Sequence, residues 1–146
     1  MKIKKLDELQ YIKRGNIFKH CLFTIVGLLM IYTAMLEFDI IIASHRNALI
    51  LIIIFIVSLF CIEMIYYEIY PLSEKRQKFL YLFAGLLGLT IIIAMSYELI
   101  SGETRFMESQ MLSDAGAGII MGVMFLMIPA AYLIRRVHNK SKGESS

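Results

Sequence analysis

An all-α fold, a four-helix transmembrane bundle preceded by an amino-terminal amphipathic interfacial helix, is predicted by three observations. Four long apolar stretches occupy residues 17–36, 48–67, 79–99 and 115–134, each near the ~20 residues a helix needs to cross a hydrocarbon layer of about 30 Å. Hydrophobic residues make up 58% of the 146 and mean hydropathy is +0.68, where a water-soluble domain has roughly half its residues apolar. Of the 15 Lys and Arg residues, all but Arg46 and Arg105 fall in alternate segments around the stretches. Too little chain remains for a soluble domain, so 17–134 reads as one membrane domain with short connections.

The first element, residues 1–16, carries Ile3, Leu6, Leu9 and Ile12 at three-residue spacing among Lys and acidic residues. That period predicts an amphipathic helix on the membrane surface, with Lys2, Lys5 and Lys13 toward anionic lipid and a turn at Gly15-Asn16. A frayed basic leader that only sets topology is the plainer alternative. The run Lys5-Leu-Asp-Glu-Leu-Gln-Tyr-Ile-Lys-Arg-Gly15, leading into an apolar helix, resembles the opening of small bacterial multi-pass membrane proteins. Their pattern is Asp-Glu-Arg-Gln, a basic residue and a helix. Asp7, Glu8 and Gln10 match, while Leu9 stands where that pattern has Arg. The resemblance implies a bacterial cytoplasmic membrane and no particular activity.

The first span, 17–36, reads as a retained helix and not a cleaved signal, because it is long, lacks a small-residue cleavage site and precedes three more spans. A short, nearly uncharged loop makes the second span, 48–67, its antiparallel neighbour. Tyr70-Pro71 then marks a turn, because proline has no amide to continue the ladder. Ser73 is placed to cap the third helix, with Glu74 in its first turn. Residues 100–114 form the longest connection, after which Ser113 or Asp114 is placed to cap the fourth helix. Pro129 removes one hydrogen bond from that span and predicts a bend. The tail, 135–146, is basic, and residues 140–146 are expected to lack fixed structure.

Orientation follows from the basic residues, which are retained on the cytoplasmic side. They cluster before span one (Lys2, Lys4, Lys5, Lys13, Arg14, Lys19), in the second loop (Lys75, Arg76, Lys78) and in the tail (Arg135, Arg136, Lys140, Lys142). Both termini are therefore expected in the cytoplasm, with the acidic third loop outside. The net charge of +3 is explained by anionic headgroups on the cytoplasmic side, and no nucleic-acid partner is implied.

Glu63 is the most unusual embedded group, since an acidic side chain at a span centre costs about 3 kcal/mol to insert and less toward the interface. Tyr66, Tyr67 and Tyr70 follow it along one helix side. His20, at similar depth on span one with Thr24 and Gly27 on the same stripe, is the candidate partner. Such a pair either holds a proton or acts as structural polar glue, the second reading being preferred because Glu63 lies off the midplane. Glu98 reads as a solvated end residue. Ala84 with Gly88, and Gly118 with Gly122, are spaced for close helix packing, within one molecule in preference to a homo-oligomer. Cys21 and Cys61 read as reduced packing residues, and the 10 methionines as adaptable packing.

Catalysis has no visible constellation: the chain lacks a Gly-rich phosphate loop, a nucleophile elbow, His-Glu-x-x-His and Cys-x-x-Cys. His20 and Glu63 alone are too few for structural zinc, which takes four ligands. A single histidine within the spans does not make a haem site, and no Asp lies in a span for intramembrane proteolysis. No cofactor or metal is expected. Two function classes survive. The preferred one is a non-catalytic membrane component of accessory, regulatory or immunity type that binds a membrane protein or lipid. The other is a small oligomeric proton-coupled transporter using Glu63. Four-span multidrug exporters use a membrane carboxylate in this way, but theirs is in span one, whereas Glu63 is in span two.

Overall fold

Backbone polar groups in hydrocarbon have no water to bond, so an apolar chain of this kind satisfies them within helices. The computed structural model describes residues 8–69, 74–108 and 111–143. Its order is α1 (Glu8–Glu37), α2 (His45–Tyr66), α3 (Glu74–Ile100), a hairpin of β1 (Met107–Glu108) and β2 (Met111–Leu112), and α4 (Asp114–Gly143). At 22 to 30 residues, the helices are about 33 to 45 Å long. All four are long and apolar enough to cross a membrane, which suggests a small four-span, multi-pass membrane protein.

Two expectations at the ends need correction. Among the described residues no separate amphipathic helix precedes the first span: α1 runs unbroken from Glu8 to Glu37 through Gly15 and Asn16. A lone glycine costs a helix only about 1 kcal/mol. Nothing lies within 4 Å of a side chain built at Gly15, so no packed neighbour enforces a turn there. At the other end α4 continues past Pro129 and Ile134 to Gly143, so residues 140–143 are helical. Residues 1–7, the Tyr70-Pro71 turn and the Ser73 cap lie outside the described residues.

Three helices stop in the same way. Asp39 (φ 55°), Glu68 (φ 56°) and Gly102 (φ 77°) take the left-handed conformation just past α1, α2 and α3. At α2 the Glu68 amide donates to Ile65 C=O (3.2 Å) and the Ile69 amide to Met64 C=O (3.0 Å), the paired bonds of a Schellman motif. Its apolar closure is also present, because buried Met64 and Ile69 share a core cluster with Ile17 and Cys21 of α1. The starts of α2 and α4 are capped by serine. Ser44 accepts from the Asn47 amide (3.3 Å) and Ser113 from the Gly116 amide (3.0 Å).

The helices lie in the order α1, α2, α4, α3, with the most extensive packing between α3 and α4. There the backbones approach closely: a Cβ on Gly88 would lie 2.7 Å from Gly122 C=O, and one on Gly122 would lie 2.9 Å from Gly88 C=O. The Tyr81 and Tyr132 rings meet between the same helices, centroids 5.0 Å apart and tilted by 39°. α1 is carried on α2 through Ile17, Cys21 and the Phe18–Phe60 ring pair (5.0 Å). At the end opposite the termini, Leu112 N–H donates to Ile42 C=O (2.6 Å), so the first connection adds a bridge to the hairpin.

Candidate functional site

Charged and polar side chains converge where α1 begins, α2 finishes and α4 projects. The His20 imidazole meets the Glu63 carboxylate through Nδ1 and Oε1. An ionised Glu63 accepts from Nδ1–H, which leaves Nε2 for another group. The two sides of the pair differ in cover: the Glu63 side chain is 17% exposed and that of His20 60% exposed. α1 supports this contact from its α2-facing side, with Ile17 and Cys21 buried on either side of His20. Thr24, expected on the same stripe, returns its hydroxyl to the His20 carbonyl (2.8 Å), and Gly27 has open space around it.

One turn further along α2, Tyr66 and Tyr67 meet edge to face at 5.2 Å. Both rings are exposed, and each is capped by a cation from a different helix. Lys13 Nζ lies 6.0 Å from the Tyr67 centroid and the Arg135 guanidinium 5.6 Å from that of Tyr66, within reach of the attraction between a cation and a ring quadrupole. Tyr70 lies outside the described residues. Thus His20 and Glu63 are in contact, while Tyr66 and Tyr67 engage basic residues of α1 and α4.

Glu68 completes this end, and sequence reasoning did not single it out. Its Oε1 accepts from Asn139 Nδ2 (2.6 Å) and Arg135 Nε (3.3 Å), tying the α2–α3 turn to the extension of α4. The Asn139 hydrogen bond, joined by the charges of Arg135 and Lys13 and opposed by partial burial, holds the Glu68 carboxyl below the usual glutamate range. The available signal was depth: Glu68 follows span two and Arg135 follows span four, so opposite charges share one level. A second tie lies at the far end. Buried Asn47 donates to Asp114 Oδ1 (2.6 Å) and Arg46 to its Oδ2 (3.3 Å). There too, residues starting two spans share one depth.

Among the described residues, no group of three or more His, Cys, Asp or Glu side chains is arranged to hold a metal ion. A second feature is an apolar cleft of about 200 Å³ lined by Leu28, Tyr32, Met35, Ile42 and Leu51 between the far halves of α1 and α2. Tyr32 and His45 close its rim with a 2.8 Å hydrogen bond. No protein-family model, curated protein or solved structure matches this chain.

Proposed function

We propose that this chain is a non-catalytic accessory component of a bacterial cytoplasmic membrane that binds a membrane protein partner along the edge formed by α1. One observation carries the reading: an embedded polar pair sits at an open edge. α1 packs on α2, and the His20 side chain, already bonded to Glu63, is 60% exposed. Apolar side chains facing lipid are unremarkable, but an imidazole there has a nitrogen to satisfy, and polar groups embedded in spans commonly bond across helices. A partner helix supplying an acceptor to His20 would satisfy it. Both termini are assigned to the cytoplasm because the basic residues lie at their end.

Photo-crosslinking in native membranes from exposed Phe23, one turn beyond His20, tests the reading. A single protein partner is expected, and its capture should fall when His20 is replaced by Leu. Recovery of only lipid and self-contacts would rule it out.

The contact between a largely covered carboxylate and an imidazole also favours a second reading, proton coupling in a small oligomeric transporter. Proteoliposomes under a pH gradient should then show flux that Glu63→Gln abolishes. Equal flux from both vesicles would exclude it.

A further inference from the structure

The exposed tyrosine pair at the end of α2 has a shape and charge that the partner reading does not use. Tyr66 and Tyr67, 63% and 46% exposed, form a floor between Lys13 on one flank and Arg135 on the other. Their cations belong to α1 and α4, helices that both pack on α2. Arg135 is tied to Glu68, but the exposed Arg136 beside it and Arg14, which lies 5.7 Å over the Phe18 ring, have no carboxylate partner among the described residues. Lys13 likewise has no carboxylate in ion-pair contact there. Among the described residues Glu68 is the acidic residue of this floor, since Glu63 is engaged with His20. The surface is therefore electropositive, and Lys13, Arg14 and Arg135 are held over rings.

Depth distinguishes what would neutralise it. The floor begins at the last residue of α2, where the apolar span stops, and exposed Phe18, Leu22 and Phe23 of α1 lie on the membrane side of Lys13. A ligand there meets cations and phenols at one end and an apolar helix surface at the other. From this the geometry points to a binding site for an anionic phospholipid, its phosphate between Lys13 and the two tyrosine hydroxyls and its acyl chains along α1 and α2. A soluble anion matches only the first half of that surface. The site rests on the membrane reading of the chain, and its headgroup contacts at Lys13, Tyr66 and Tyr67 use neither His20 nor Phe23, the positions of the partner reading.

Lipid retention by the purified full chain tests this. After equilibration in micelles containing equal phosphatidylglycerol and phosphatidylcholine, native mass spectrometry should find phosphatidylglycerol preferentially bound. Lys13→Gln should reduce that preference about fivefold, as expected for one basic residue near a membrane surface, whereas Lys13→Arg should keep most of it. Tyr67→Leu should weaken it by removing both ring and hydroxyl, and Arg105→Gln, in the loop at the opposite end, should leave it unchanged. Equal retention of the two lipids, or a preference indifferent to Lys13→Gln, would overturn the site. So would inorganic phosphate displacing the lipid at similar concentration, which would assign the surface to a soluble anion. Loss of partner crosslinking with lipid preference intact would refute the accessory reading alone.

Discussion

Glu68 occupies a backbone position that normally belongs to glycine. The left-handed conformation costs a side-chain-bearing residue roughly 1 kcal/mol or more, yet Glu68 adopts it at φ 56° while its carboxylate joins Asn139 and Arg135. Glu68→Gly should therefore relax the turn while freeing α4 from it. Hydrogen exchange should show the Ile69 amide retained and the 135–139 amides less protected; unchanged protection in α4 would deny Glu68 its tethering role. The tether also has a pH signature. With the carboxyl held below the usual glutamate range by Asn139 and the nearby cations, its stabilisation is complete above the unfolded value of about 4.3. It fades as pH falls through the lower folded value. In micelles, a carboxyl titration of Glu68 with a midpoint at or above 4.3 would contradict this, and Glu68→Gln should make α4 protection independent of pH across that window. Asn47 gives the matching test at the far end. Buried and bonded to Asp114 at 2.6 Å, it should cost about 0.5–1.5 kcal/mol on replacement by Leu, the net worth of one hydrogen bond, because Asp114 is itself 71% exposed and keeps Arg46. A mid-range loss in steric-trap unfolding is the expected reading, and a neutral variant would show that water serves Asp114 equally well.

Glycines separate packing from mere permission to be helical. At Gly88 an added methyl would meet the backbone carbonyl of Gly122 at 2.7 Å, an atom that cannot swing aside, so Gly88→Ala should push α3 from α4 and destabilise the bundle by about 1–3 kcal/mol. Gly15→Ala and Gly27→Ala meet nothing within 4 Å, and each should be neutral or stabilising by roughly 0.5–1 kcal/mol. Melting the three variants side by side checks the contrast, and similar losses at Gly15 and Gly88 would remove close approach as the cause. The Gly88 and Gly122 spacing is visible in the sequence because small residues four apart repeat on one helix face. What the spacing cannot reveal is whether a glycine is needed. Gly15-Asn16 looks like a turn by composition but lies inside α1, where intact backbone bonding outweighs a weak propensity. The hairpin escapes notice for the opposite reason: its strands have two residues each, too few for an alternating pattern, and its pairing uses Ala43 and Ile42 far back in the chain.

Apolar length alone makes four spans legible across the whole molecule, and the rarity of embedded polar groups makes His20 and Glu63 conspicuous. Their order in space is not legible. Hydrophobic faces in lipid have no preferred partner by composition, so the row α1, α2, α4, α3 depends on specific ties: Asn47 with Asp114, Glu68 with Arg135, Gly88 against Gly122. The small-residue spacing marks the α3 and α4 faces in the sequence, whereas the two polar ties join residues far apart in the chain and leave no periodic pattern. This row puts Lys13 beside Tyr67 and Arg135 beside Tyr66, gathering basic residues of distant segments at one end. Glu37, Asp39, Glu98 and Glu103 belong to the other end, where Arg46 is tied to Asp114. Charge asymmetry of this kind orients a protein during insertion, because Lys and Arg near span ends resist translocation and acidic groups contribute little. A reporter fused after Ser146 should therefore be active in the cytoplasm. The same reporter inserted at Gly102, an open position with φ +77°, should read as exterior. Moving three lysines into the connection around Glu103 while neutralising Lys13, Arg14 and Lys19 should shift part of the population to the inverted orientation. An exterior signal from the Ser146 fusion in the unaltered chain would refute the assignment. A shared location for both reporters would go further, removing α4 as a span between them.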